Sequence, residues 1–305
     1  MDISIVSPIY KAEFFLDKLV FEIQKTMSII NVDWEIILVD DRSKDDSWQK
    51  MKDLSTKNKN IKSIRLSRNF GQHPAIMAGL SHANGEWIVV MDCDLQDQPK
   101  EIVKLYKKAL EGFEIVQARR KNREDNFFKK LSSKIFSKVY GYFTDTKYDN
   151  EIANFGIYNK KVINSILEIS DYIKFFPLFV NFVGYKSTTI AVEHASRESG
   201  KTSYSFSKLV SLAFNTLISF SNKPLKLFVK FGMIISILSF CTGIYYIYQA
   251  MNHEIEVLGF TTIIVSIWFL SGIIITTIGI TGIYVGKIFD QTKNRPVFII
   301  DEIYG

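Results

Sequence analysis

The stretch Ile88-Val89-Val90-Met91-Asp92-Cys93-Asp94-Leu95-Gln96-Asp97 decides how this chain is read. An apolar run leads into two carboxylates with one residue between them. Read as an extended strand, it puts Asp92 and Asp94 on the same side, because side chains alternate. Gly85 ahead of the run is a turn signal, and Pro99 behind it suits the first turn of a helix. Two hard oxygen ligands at a strand end can hold Mg2+ or Mn2+, and such an ion grips a diphosphate. Asp-x-Asp is short, and by itself it fits an acidic loop that caps the next helix equally well. The surroundings have to decide.

Toward the N-terminus the same pattern recurs. Ile3 to Ser7 is an apolar strand ending at Pro8, and Tyr10 and Glu13 open a helical pattern that runs to Ile30. Glu35 to Val39 is a second strand, ending in Asp40-Asp41-Arg42-Ser43. Ile61 to Leu66 is a third, ending in Ser67-Arg68-Asn69-Phe70-Gly71-Gln72. Helical periodicity covers His73 to Ala83 and Pro99 to Leu110, and Glu114 to Ala118 reads as a further strand. Strands alternating with helices predict an α/β fold, a doubly wound and mostly parallel Rossmann-like sheet. Ligands of such sheets bind beyond the carboxyl ends of the strands. Four polar clusters fall there in succession, which favours a binding site over a lone acidic cap. A Gly-x-Gly-x-x-Gly after the first strand and a Walker-type loop are both missing, which argues against ordinary dinucleotide or P-loop chemistry.

Beyond this region the composition changes. The chain has 305 residues and is 47% hydrophobic, but residues 231–251 and 258–285 are nearly free of charge. Each is long enough to cross a hydrocarbon core of roughly 30 Å. Lys223, Lys226 and Lys230 precede the first stretch, Lys287, Lys293 and Arg295 follow the second, and the connection between them carries no Lys or Arg. The positive-inside rule then places both ends in the cytoplasm. No N-terminal signal peptide is visible. Residues 124–143 and 205–222 are amphipathic, the second with the pattern of a helix lying in the membrane interface. Four divisions result: 1–204 a cytoplasmic domain, 205–224 an interfacial helix, 225–286 a transmembrane hairpin and 287–305 a cytoplasmic tail. Two cysteines, Cys93 and Cys241, imply no disulfide framework. His73, His82 and His194 lack metal-ligand spacing. Nothing points to a nucleic-acid partner.

Taken in order, Ser7-Pro8-Ile9-Tyr10, Val39-Asp40-Asp41-Arg42-Ser43, Ser67 to Gln72, Ala78-Gly79-Leu80, Met91 to Pro99 and Arg197-Glu198-Ser199-Gly200-Lys201-Thr202-Ser203-Tyr204 resemble the family 2 glycosyltransferases. More narrowly, they resemble the polyprenyl-phosphate branch, which holds the dolichol-phosphate mannose synthases and the bactoprenol glucosyltransferases. The resemblance spans essentially the whole chain. It implies a GT-A fold, Mg2+ or Mn2+, a nucleotide sugar (a UDP-sugar, with UDP-glucose first), a polyprenyl (undecaprenyl) phosphate acceptor, a bacterial inner membrane location and a homo-oligomer such as a tetramer. It places Pro8, Tyr10, Glu13 and Asp41 around the nucleotide, with Asp40 assisting or only holding its turn, and Arg68, Asn69 and Cys93 near them. Asp92 and Asp94 would approach the metal. Gln96 and Asp97 would shape the sugar or acceptor side, although Asp97 also suits a helix cap. Arg197, Lys201 and Ser203 would clamp phosphate under a loop freed by Gly200, and Arg119 and Arg123 would meet the lipid phosphate. The chain departs from the pattern at Lys11, where relatives carry Asn, and at Arg42, where they carry Gly. It departs again at Asn154 and Gly156, where many carry Asp and Arg, so no carboxylate base is expected there. A processive polysaccharide synthase and a non-catalytic nucleotide-binding module are the competing readings.

Overall fold

A computed structural model describes residues 1–120, 152–171, 174–193, 223–252 and 259–305. The phosphate loop 197–203, Arg123 and the amphipathic stretches 124–143 and 205–222 lie outside the described residues. The strands are β1 Ile3–Ile9, β2 Trp34–Asp40, β3 Ile61–Leu66, β4 Trp87–Val90, β5 Ile115–Arg120, β6 Ile152–Asn159, β7 Ser187–Val192 and β8 Ile300–Tyr304. The helices are α1 Leu16–Ile30, α2 Ser47–Lys57, α3 Gln72–Leu80, α4 Ile102–Leu110, α5 Lys160–Glu168, α6 Phe176–Phe182, α7 Lys223–Met251 and α8 Phe260–Thr292. The residues form two compact units. One holds the sheet and its helices together with Arg295–Gly305; the other holds α7 and α8.

The sheet order is β7-β5-β6-β4-β1-β2-β3-β8. Its centre is parallel, as the alternation of strands and helices predicts: β4, β1, β2 and β3 all run one way. β5 and β7 share that direction, so six of the eight described strands run one way, as a mostly parallel sheet requires, and the exceptions lie on the flanks. β6 runs antiparallel to both β4 and β5, and β8 runs antiparallel to β3, so the sheet is mixed. β6 was hidden because its alternation is broken by Gly156. β8 was hidden because it is short, charged and preceded by a long helix. The end of the expected tail is therefore an edge strand whose charged residues suit an exposed edge.

Central strands need apolar residues on both faces, and Val6, Ile37 and Val39 are fully buried beside Ile5, Ile36 and Leu38. Leu16, Leu19 and Ile23 of α1 pack on Ile3, Ile5 and Ile9 with Ile102 and Leu105 of α4. α3 lies on the opposite face and approaches closely because it has Gly79. A Cβ there would stand 2.4 Å from Val6 Cγ1 and 3.1 Å from Val39 Cγ2. At the amino ends of the strands a buried carboxylate ties three segments together. Glu35 accepts the Ser4 hydroxyl at 2.6 Å and the Asn84 amide at 2.7 Å, and Ser4 Oγ accepts the Gly85 amide at 2.7 Å. The Gly85 turn signal thus marks a close approach, since a Cβ there would meet Ser4 N at 2.6 Å.

α7 from Phe231 to Met251 and α8 from Phe260 to Gly286 carry no charged residue. By length and composition, one helix among the described residues can cross a membrane: Ser266–Thr292, 27 residues. Its threonines hydrogen-bond within the helix, Thr276 to the Gly272 carbonyl at 2.8 Å and Thr281 to the Thr277 carbonyl at 2.9 Å. Such bonds satisfy a hydroxyl without water.

Candidate active site

β1, β2, β3, β4 and β5 deliver their carboxyl ends to one edge of the sheet, and most of the residues singled out in the sequence stand there. Pro8 is buried in β1, and Tyr10 follows it, 45% exposed. The loop that presents Tyr10 is held by two serines: Ser43 Oγ accepts the Lys11 amide at 3.0 Å, and Ser47 Oγ accepts the Ala12 amide at 3.1 Å. Glu13 accepts the Asp46 amide at 3.0 Å, which leaves it on the α2 side of this loop. Neither serine stood out in the sequence as a site residue, because a hydroxyl that fixes a turn has no motif of its own.

The two aspartates after β2 have separate work. Asp40 is fully buried, accepts the Ser43 amide at 2.9 Å and lies 3.2 Å from Arg65 Nε. Of its two possible roles, holding the turn is the one its contacts describe. Asp41 accepts the Phe70 amide at 2.7 Å on one oxygen and the Gly71 amide at 2.8 Å on the other. Its carbonyl accepts Asn69 Nδ2 at 3.1 Å. Burial raises its carboxyl pKa above the usual value, while the two amides and Arg68 pull it down. Asp41 thus shapes the loop after β3, and each oxygen keeps a second lone pair for a ligand. Arg68 stacks over Phe70, with Cζ 4.1 Å from the ring centroid.

The central motif differs from its expected form. β4 ends at Val90, so Asp92 and Asp94 lie in a turn, and strand alternation is not what brings them together. Leu95 sits at φ 58°, a left-handed conformation that bulky residues rarely adopt. Strain of this kind gathers at functional sites. Asp92 accepts Gln72 Nε2 at 2.6 Å, and Asp94 accepts the Gln96 amide at 3.2 Å. Gln72 joins the site from the start of α3. Cys93 packs against the core beneath the two aspartates. Burial, with the charges of Asp92 and Asp94, pushes its thiol up to about 12. A thiol held that high stays protonated, which suits the packing contact Cys93 makes with the core. Asp97 is buried and Gln96 half-buried. Arg119 is exposed near the carboxyl end of β5, at this same edge.

The described residues contain no group of three His, Cys, Asp or Glu suited to a metal. Two carboxylates are enough for Mg2+ or Mn2+ when phosphate oxygens and waters complete the shell, so Asp92 and Asp94 fit a metal that arrives with a diphosphate. They do not fit a metal held by protein alone.

His73, at the start of α3, stacks edge-on against Phe175, with ring centroids 4.6 Å apart. Its Nδ1 has no hydrogen-bond partner among the described residues, and burial lowers its pKa to about 4 from 6.5. The folded chain then refuses a proton that the unfolded chain takes up as pH falls below 6.5. Stability should fall through that window by up to ~1.4 kcal/mol per pH unit. In His73→Phe this part of the slope should vanish, as urea unfolding at pH 7 and pH 5 would show.

The two positions at which the resemblance leads one to expect Asn and Gly are both left-handed here. Lys11 has φ 54° and Arg42 has φ 58°. Asn and Gly adopt that conformation at least cost, so Lys11 and Arg42 hold it against their own preference.

A model of "Glycosyl transferase family 2" matches residues 4–167. The uncharacterized glycosyltransferase sll0501 of Synechocystis sp. is 32% identical, over 100% of this chain and 96% of its own length. The undecaprenyl-phosphate 4-deoxy-4-formamido-L-arabinose transferase of Enterobacter sp. is 31% identical, over 99% of this chain and 93% of its own length. Among solved structures, glucosyl-3-phosphoglycerate synthase from Mycobacterium tuberculosis, in complex with Mn2+, UDP-glucose and phosphoglyceric acid, superposes with TM-score 0.52. It is 12% identical, over 72% of this chain and 78% of that one, which shows a shared GT-A fold. With the family model covering more than half of the chain and relatives above 30% identity along nearly all of it, this chain belongs to glycosyltransferase family 2 and is an enzyme of that class.

Proposed function

We propose that the enzyme transfers a sugar from a nucleoside diphosphate sugar to a polyprenyl phosphate. The observation that carries this reading is the convergence of the Tyr10, Asp41, Gln72 and Asp92/Asp94 loops on one sheet edge, in a chain that also has a membrane-length helix. The relative from Enterobacter sp. is named for transfer involving undecaprenyl phosphate, which supports the acceptor.

In this reading Tyr10 offers a ring face to the base, and Asp41 offers its free lone pairs to base or ribose donors. Asp92 and Asp94 hold Mg2+ or Mn2+ against the diphosphate, where the ion supplies charge neutralisation for the departing nucleotide. An oxygen of the lipid phosphate attacks the anomeric carbon as the bond to the diphosphate breaks, so an α-linked donor gives a β-linked product. The acceptor phosphate is largely ionised at neutral pH, with a second pKa of about 6. It needs no proton removed, which agrees with Asn154 standing where a carboxylate base would be. The residues position the reactants and balance charge. Arg197, Lys201 and Ser203 take the diphosphate side, and Arg119 and Arg123 the lipid phosphate.

A polyprenyl chain stays in the bilayer, so the site must work at its surface. α7 and α8 form the anchoring hairpin, with the catalytic unit on the cytoplasmic side of a bacterial inner membrane. Association into a tetramer through these helices completes the reading. UDP-glucose is the first donor to try, and the formamido-arabinose sugar named for the Enterobacter relative is the second. Incubating the purified enzyme with Mn2+, polyprenyl phosphate and a panel of nucleotide sugars should yield one lipid-linked monosaccharide. A polymer would favour a processive synthase. No transfer from any donor would favour a non-catalytic module and end this reading.

A further inference from the structure

The C-terminal strand bears directly on the loop after β2. β8 pairs with β3 through Ser63–Tyr304, Ile64–Ile303 and Arg65–Glu302, and then the register shifts so that Leu66 faces Ile300. Asp301 is the extra residue of that bulge. A bulge re-aims the side chain it carries, and bulges gather beside active sites. Here the re-aimed side chain meets Arg42: its Oδ2 accepts from Arg42 Nη1 at 2.5 Å. Arg42 is the residue that departs from the family's Gly, and it holds a left-handed φ of 58°. A long side chain there costs roughly 1 kcal/mol in backbone conformation relative to Gly. Among the described residues its charged contact is to Asp301.

The loop so gripped is a hub. Asp40 turns it by accepting the Ser43 amide, Ser43 Oγ accepts the Lys11 amide next to Tyr10, and Asp41 fixes Phe70 and Gly71. We propose that Asp301 is a positioning residue for the donor nucleotide: through Arg42 it braces the turn Asp40–Ser43, and so the Tyr10 and Asp41 contacts that the nucleotide needs. This rests on the nucleotide reading given above. Asp301 itself touches no reacting atom. Both partners are partly exposed, with side chains 41% accessible, so removing the pair should loosen the loop without unfolding the sheet.

The test uses the full-length protein in detergent, with UDP and Mn2+ as the probe. In Asp301→Ala the amides of Lys11 and Ser43 should exchange hydrogen faster without nucleotide, while those of β5 and β6 exchange as in the wild type. UDP should bind roughly fivefold more weakly. The swapped pair Arg42→Asp/Asp301→Arg should restore both properties, which a loss of general stability would not allow. Unchanged exchange, or a swap that restores nothing, overturns the brace. Faster exchange with unchanged UDP affinity overturns the positioning role. If the wild type binds no UDP while the exchange and swap results hold, the nucleotide reading falls, and Asp301 is removed from the reaction with it.

Discussion

Replacing Asp94 with alanine is expected to lower sugar transfer by roughly a hundred- to a thousandfold. The carboxylate lies in the turn after β4 and accepts the Gln96 amide at 3.2 Å. Losing this bond to a half-buried amide costs the fold about 1 kcal/mol or less. Thermal unfolding in detergent should therefore change little while turnover collapses. The pairing of the two measurements matters, because a variant that loses both says nothing of metal binding. Asp94→Asn keeps an acceptor for Gln96 but removes the negative charge, and it should be nearly as inactive as alanine. Raising Mn2+ should recover part of the Asp92→Ala activity before that of Asp94→Ala if Asp94 is the stronger ligand. Turnover by Asp94→Ala within about fivefold of the wild type would remove the metal role.

The second large effect is on folding. Gly156 stands in β6 where the family resemblance leads one to expect an arginine, and its neighbourhood leaves no room for one. A Cβ at this position would lie 2.7 Å from Tyr158 Oη, 3.0 Å from Tyr158 Cζ and 3.0 Å from the Val116 carbonyl. Tyr158 is almost fully buried and packs edge-on against Phe176, with centroids 5.2 Å apart. Burial raises its phenol pKa, against the pull of a hydrogen bond with Gln117. The ring thus fills the space over Gly156 that a side chain would claim. Gly156→Ala should destabilise the protein by about 2 kcal/mol, and the family's arginine by more. In a Tyr158→Phe background the alanine should cost less, because the nearest clashing atom is gone. Additive losses in that double-mutant cycle would show that Tyr158 is not what excludes a side chain there.

Much of the site was legible because each catalytic-edge loop follows a buried apolar run. Ile36 to Val39 and Ile88 to Val90 could be nothing but central strands, so Asp40, Asp41 and Asp92 had to emerge at their ends. What each aspartate does there was less visible. Asp40 and Asp41 look alike in sequence, yet one is turned inward to Ser43 and Arg65 and the other reaches the amides of Phe70 and Gly71. Backbone donors carry no sequence signature, so that division of labour could not be read beforehand. Strand alternation does not apply to Asp92 and Asp94, because β4 stops at Val90 and Leu95 just beyond them turns left-handed. Lys11 and Arg42 were visible as oddities and became intelligible only through their φ angles. β8 escaped notice because five residues with two acidic side chains carry too little hydrophobic signal to mark a strand.

That late strand has a bearing on synthesis. β3 lacks its outer neighbour until residues 300–304 leave the ribosome, after both long apolar helices have been made. Until then a bare row of backbone donors and acceptors is open to other nascent chains. The outer edge of β3 therefore stays unpaired while α7 and α8 are made, and a chain cut before Ile300 should aggregate more readily than one that includes β8.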